Sequence, residues 1–221
     1  MGRMGAMRYG LVVLGALACL PAAGQAWDAR VELPRVSGQD LPGTDIQGAG
    51  RLADQGLDSD PSVILSLNHR LVRVNPVLRL DWGVEYACLE AKGRFRVADE
   101  AYASRLRQEG PGVGLTAQFW IPFTGVAGEL GVIQRFHTYR FEAAGSTESH
   151  RISRTWMRVG ARWRLPVPEA SPYLAVSYQR PLSRQRPADL ASAPDLASCL
   201  RAQGHGQEFE HLWTFGAGVQ W

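Results

Sequence analysis

Lysine is nearly missing from this chain of 221 residues. Lys92 is the only one, so almost all of the 24 basic residues are arginine, which reflects genome composition before function. Long apolar runs are missing too. The longest, Leu11 to Leu20, has ten residues, against the roughly 20 that a membrane-spanning helix needs. A membrane protein made from this chain therefore has to be a closed β-barrel, the other structure that satisfies every backbone polar group internally. Cysteine is scarce, with only Cys19, Cys88 and Cys199. That is too few ligands, too far apart, for a structural zinc centre. No metal site or cofactor motif is present. The spacing of Asp40, Asp45, Asp54, Asp58 and Asp60 lacks the alternate acids and closing glutamate of a calcium loop.

A strong charge of one sign is also absent once the N-terminus is set aside. Arg3 and Arg8 precede the apolar run, and Gly24 and Ala26 supply small residues near a cleavage point. This is the pattern of a secretory signal peptide covering residues 1–26, cut before Trp27. Ala16-Leu17-Ala18 before Cys19 fits a lipidation signal poorly. The segment takes two arginines and no acid with it, leaving 22 basic residues against 21 acidic ones in 27–221. No nucleic-acid footprint follows from so even a balance. The remaining length suits one domain.

What the chain does have is alternation. In the terminal stretch FEHLWTFGAGVQW, Phe209, His211, Trp213, Phe215, Ala217, Val219 and Trp221 share one parity. Side chains on a strand alternate faces, so one face is aromatic and the other small or polar. The same pattern recurs upstream. Leu78, Leu80, Trp82, Val84 and Tyr86 alternate with Arg79, Asp81, Gly83 and Glu85; Met157, Val159, Ala161, Trp163 and Leu165 alternate with Arg158, Arg162 and Arg164. Eight strand-like segments are expected in all. In the fifth, 128–143, the apolar parity switches from Leu130 and Val132 to Tyr139 and Phe141, which predicts a bulge near Gln134 to His137. Residues 37–60, rich in Gly and Asp, are expected to be irregular, and 180–207 is expected to hold a helical turn or two.

Short turns join strands 2–3, 4–5 and 6–7, while the other connections are longer. Short periplasmic turns alternating with longer outer loops mark outer-membrane barrels, as does an apolar face with aromatic edges. A soluble lipocalin-like barrel would place the apolar face inward instead. The chain resembles the small outer-membrane β-barrels typified by the OmpA transmembrane domain and the OmpX-type surface proteins, through its signal peptide, eight strands, loop lengths and terminal GAGVQW. The resemblance implies an all-β, eight-stranded, antiparallel up-and-down transmembrane barrel after a cleaved signal peptide. It implies a Gram-negative outer-membrane location, a monomer bathed in outer-membrane lipid and lipopolysaccharide, and barrel-assembly machinery acting on the terminal strand at Phe215, Val219 and Trp221. No peptidoglycan-binding domain is expected after Trp221, so no tethering role carries over.

The lumen of such a barrel is just wide enough for side chains. Parity assigns it Arg30, Glu32, Arg70, Arg79, Asp81, Glu85, Gln118, Arg158, Arg162, Arg164 and Glu210. Acids and bases are mixed there, so a salt-bridge network that closes the lumen is expected, with no catalysis and with loops carrying contact to an unidentified extracellular partner. The alternatives are a small pore and a lipid A-modifying enzyme. The enzyme would draw on His137, Ser146 or Ser149, His150 and Glu148, but nothing in their spacing fixes a nucleophile beside its base. Cys88 and Cys199 are either one disulfide or two free thiols; parity turns Cys88 outward with Tyr86, and a bond requires the last long loop to cross the mouth.

Overall fold

The computed structural model describes residues 27–38, 44–46, 50–97, 100–143, 145–167, 171–182 and 209–221. The expected signal peptide lies outside them, as do most of 180–207 and Cys199. Among the described residues there are ten strands: β1 Trp27–Gly38, β2 Thr44–Ile46, β3 Gly50–Ser59, β4 Val63–Arg73, β5 Leu78–Val97, β6 Glu100–Trp120, β7 Val126–Ala143, β8 Ser146–Arg164, β9 Ser171–Pro181 and β10 Phe209–Gln220. They form one antiparallel sheet that closes on itself through β5 and β6, with β1 beside β10. At the seam, Trp27 and Trp221 exchange two backbone hydrogen bonds, each 3.0 Å.

The ring has eight positions, because β3 and β4 share one. β4 pairs with the lower part of β5 from Arg73↔Arg79 to Val63↔Cys88, and β3 takes over the same edge from Ser59↔Ala91 to Leu52↔Val97. Between them Asp60 N–H still donates to Glu90 O, at 3.0 Å. Residues 37–60, expected to be irregular, thus supply a small β2–β3 hairpin and a strand of the wall. Its glycines and aspartates hid a strand whose register slips between Asp54 and Leu57.

The wall is also taller than the alternating segments suggest. β5 and β6 run on to Val97 and Glu100 instead of ending near Cys88 and Gly112. β7 and β8 stay paired without a break from Val126↔Trp163 to Ala143↔Ser146. The bulge expected at Gln134 to His137 does not exist. Along β7 the inward residues remain Glu129, Gly131, Ile133, Arg135, His137, Tyr139 and Phe141. The faces exchange polarity while the register holds.

A bulge does occur in β10. Ser37 pairs with His211 but Gly38 pairs with Phe209, leaving Glu210 as the extra residue. Phe209 consequently turns inward and is buried beside Leu212, so it does not belong to the outer aromatic face. Trp213 and Phe215 stay on that face, half exposed.

The outer surface carries an apolar band. It includes Trp82, Val84 and Tyr86 of β5, Val113, Leu115 and Phe119 of β6, Leu130, Val132 and Phe136 of β7, Val159 and Trp163 of β8, and Leu174 and Val176 of β9. Nine residues from Leu78 to Tyr86 cross it on β5, the strand length a tilted membrane crossing requires. Aromatic clusters sit at both edges. Near the termini Trp27 packs edge-on against His69 at 4.6 Å with Trp82 beyond; towards the other end Tyr178 lies 5.1 Å from Trp213 and 5.7 Å from His211. Interfacial girdles of this kind mark the two borders of a lipid-facing band.

Candidate functional site

Inside the band the lumen is filled with charge, and β1 begins it. Asp28, Arg30 and Glu32 all point inward and are almost fully buried. Arg30 Nη2 donates to both oxygens of Glu129, at 2.7 and 2.8 Å, while its Nη1 reaches Glu32 at 3.3 Å. Arg162 from β8 bonds the same Glu129 and also Asp28. The Tyr173 hydroxyl accepts from Arg30 Nε at 3.2 Å and donates to Asp28 at 2.5 Å. The Tyr173 ring lies under the Arg162 guanidinium at 4.2 Å. Gly218 makes that possible: a Cβ there would sit 2.4 Å from the ring.

Two further groups complete the layer. Arg79 donates to Asp81 at 2.9 Å, and Gln118 joins the same carboxylate at 2.8 Å. Arg158 bridges Glu32 at 2.9 Å and Glu85 at 3.2 Å. Arg135 bonds Glu85 and donates to Gln179 at 2.6 Å, with its guanidinium over Trp156 at 4.8 Å. Thr214 donates to Glu32 at 3.0 Å. Arginines 30, 79, 135, 158 and 162 therefore meet carboxylates 28, 32, 81, 85 and 129, five of each sign. A buried charge is tolerated only when paired and hydrogen-bonded, and here each one is.

Of the lumen residues picked from parity, Arg30, Glu32, Arg79, Asp81, Glu85, Gln118, Arg158 and Arg162 lie in this layer. Arg70 and Arg164 do not. They stand half-buried at the mouth beside the termini, Arg164 bonded to Gln220 at 3.1 Å and stacked on Trp120 at 4.4 Å. The Glu210 side chain lies outside the described residues. Sequence reasoning missed Asp28, Glu129, Arg135 and Tyr173. Continuing the β1 alternation back from Arg30 reaches Asp28. The supposed bulge in β7 concealed Glu129 and Arg135.

Beyond the band, away from the termini, the interior turns apolar. Leu89, Ala91, Leu106, Ile133, Tyr139, Phe141, Trp156, Phe209 and Leu212 form one buried cluster with Ile64 and Ala87, and Tyr102 and Ile152 pack against it. The outer face at this height carries Lys92, Arg94, Arg105, Arg140 and Arg151. Burial pushes the Tyr139 phenol above its ordinary pKa, which keeps it neutral beside the His150 ring at 4.5 Å.

Of the enzyme candidates, the described side chains of His137, Ser149 and His150 do not form a nucleophile–base pair. His137 is buried in the interior and Ser149 is exposed on the outer face of β8, whereas its neighbour His150 turns inward towards Tyr139. The Ser146 and Glu148 side chains lie outside the described residues. Cys88 is a free thiol, half-buried on the outer side of β5.

A closed antiparallel ring with a charged interior, an apolar outer band and aromatic clusters at both borders is a transmembrane β-barrel of the Gram-negative outer-membrane class. In barrels of this class short turns face the periplasm and longer loops face outward, which sets the 74–77 and 121–125 turns at the periplasmic end and the tall β5–β8 wall at the other. No protein-family model matches the chain, and no curated protein matches it in sequence. Among solved structures it is similar to Ail, the attachment invasion locus protein of Yersinia pestis, at 14% identity over 90% of this chain and 100% of that one, with a TM-score of 0.46. A second Ail structure, in complex with the heparin analogue sucrose octasulfate, gives 12% identity over the same shares and a TM-score of 0.47. The transport unit of the autotransporter AIDA-I from Escherichia coli gives 10% identity over 98% of this chain and 97% of that one, with a TM-score of 0.44. At these values no residue-by-residue correspondence is implied.

Proposed function

We propose that this outer-membrane barrel is a non-enzymatic, non-conducting surface protein that works through its extracellular wall and loops. The observation that supports a closed lumen is the layer of five arginines and five carboxylates cross-linking β1, β5, β7 and β8. An eight-stranded lumen is only wide enough for its own side chains, and a balanced network leaves no unpaired charge to attract an ion through it. Above that layer the packed side chains of Leu89, Leu106, Phe141, Phe209 and Leu212 narrow the interior further.

The wall from β5 to β8 supports the interaction role. It continues past the apolar band with a charged exterior, which a barrel needing only to span lipid does not require. The opposite facing of Ser149 and His150 weighs against a nucleophile and base acting together. Two measurements test the reading. Purified protein should be silent or nearly so in planar bilayers; a steady, large ohmic conductance would overturn the closed lumen. It should also leave lipopolysaccharide acyl chains intact; their hydrolysis would reinstate the enzyme.

A further inference from the structure

The charge layer is neutral, but the periplasmic mouth below it is not. A cavity of about 430 Å³ opens there, lined by Arg70, Arg73, Arg79 and Arg164 together with Trp120 and the turn residue Phe123, and among the described residues no acid lines it. Arg79 faces it from above while paired to Asp81. Arg164 is held in place by Gln220 and Trp120, two partners that leave its charge uncompensated. Arg70 has a buried Nε with no hydrogen-bond partner, and it lies close enough to Arg79 and Arg164 for the guanidiniums to repel one another. Among the described residues Arg70, Arg73 and Arg164 have no counter-charge, and three such cations around one open cavity cost the fold free energy that a bound anion would return.

The geometry points to a phosphate-binding site at this periplasmic mouth, formed by Arg70, Arg73 and Arg164 with Arg79 at its back. Convergent guanidiniums suit an anion with several oxygens, because each planar fork can engage two of them. The rim supplies a second argument. Ile121 and Phe123 line the opening and are exposed, Leu71 and Val74 are exposed beside Arg70 and Arg73 in the chain, and Phe123 adopts the left-handed backbone region with φ 67°. Apolar side chains ringing a cationic cavity match the boundary where lipid phosphates meet acyl chains. A phospholipid head group and a free phosphate ion share the recognised chemistry.

The experiment uses the full chain in zwitterionic detergent, following Trp120 fluorescence with Trp120→Phe subtracted, so it depends neither on conductance nor on a surface partner. One arm titrates inorganic phosphate at constant ionic strength set by chloride. The other adds phosphatidylglycerol or phosphatidylcholine to the micelles. A saturable response in either arm, weakened tenfold or more by the double variant R70Q/R164Q and unchanged by R94Q on the outer wall, is expected. Saturation by phosphatidylglycerol at lower concentration than phosphate, without response to phosphatidylcholine, identifies a lipid source; saturation by phosphate with no preference between lipids identifies the free ion. Saturation in neither arm, or equal binding by wild type and R70Q/R164Q, overturns the site. Should the double variant fail to fold, Arg73→Gln on the exposed rim replaces it, with weakened binding expected and unchanged binding contrary to the proposal.

Discussion

The lower and upper halves of the barrel solve the same packing problem with opposite chemistry. Within the lipid band the wall is apolar outside and charged inside, with Glu129 and Arg135 of β7 turned inward and Leu130 and Val132 outward. One turn of the barrel higher, the same strand turns Tyr139 and Phe141 inward and Arg140 outward. Backbone register does not change between the two. What changes is the solvent outside. Lipid rewards an apolar exterior, so the polar set goes in; water rewards a polar exterior, so the apolar set goes in and forms a core like that of a soluble barrel. The height at which the faces exchange, between Phe136 and Tyr139 on β7, marks the outer membrane border.

The lower half should break hardest. Replacing Glu129 with Gln leaves Arg30 and Arg162 buried around a neutral amide, and the loss should be about 3–5 kcal/mol in urea unfolding of lipid-reconstituted protein. A loss below about 1 kcal/mol would mean that water already solvates those arginines. In the upper half Phe141→Ala should cost about 3 kcal/mol by emptying a buried site. Its mark should be faster amide exchange at the tops of β6 to β8 with the lower strands unchanged; uniform acceleration would show that the halves are one cooperative unit.

The outer faces sharpen the comparison. Leu80→Arg, inside the band, should cost about 2–4 kcal/mol if Leu80 sits near the midplane, while Arg140→Leu, above it, should stay within about 0.5 kcal/mol. Equal costs would put the border elsewhere. Arg105→Ala should also do little: its ion pair with Glu90 is half exposed on the arginine side, so below about 0.5 kcal/mol is expected, shrinking further with added salt.

Much of the lower half is legible in the sequence, because alternation over Leu78–Tyr86 or Met157–Trp163 signals both strand and facing at once. The inward set Arg79, Asp81, Glu85, Arg158 and Arg162 follows from parity alone. The upper half is not legible in that way. A reader who takes apolar to mean lipid-facing along the whole strand must interpret the exchange at Gln134–His137 as a shifted register, and then loses Glu129 and Arg135 from the lumen. Strand β3 escaped for a different reason: Gly50, Gly56, Asp54 and Asp58 carry turn chemistry, yet the edge of β5 offers backbone partners that outweigh propensity. At Phe209 the alternation is intact in the sequence, and only a one-residue bulge, invisible to composition, turns the ring inward.

The seam between β1 and β10 has a consequence for how the chain comes together. Glu32 takes its bond from Thr214, 182 residues away in sequence, and Asp28 takes one from Tyr173, 145 residues away. These carboxylates cannot be satisfied by neighbours made shortly after them. Until β9 and β10 arrive these two bonds cannot form, and water holds their place. The unassembled chain is therefore a water-compatible polymer with an acid or base at many alternate positions, able to wait in an aqueous compartment without collapsing on its own aromatics. Closure then completes two things at once: the final strand joins β1 in the ring and supplies the hydroxyl of Thr214 to Glu32.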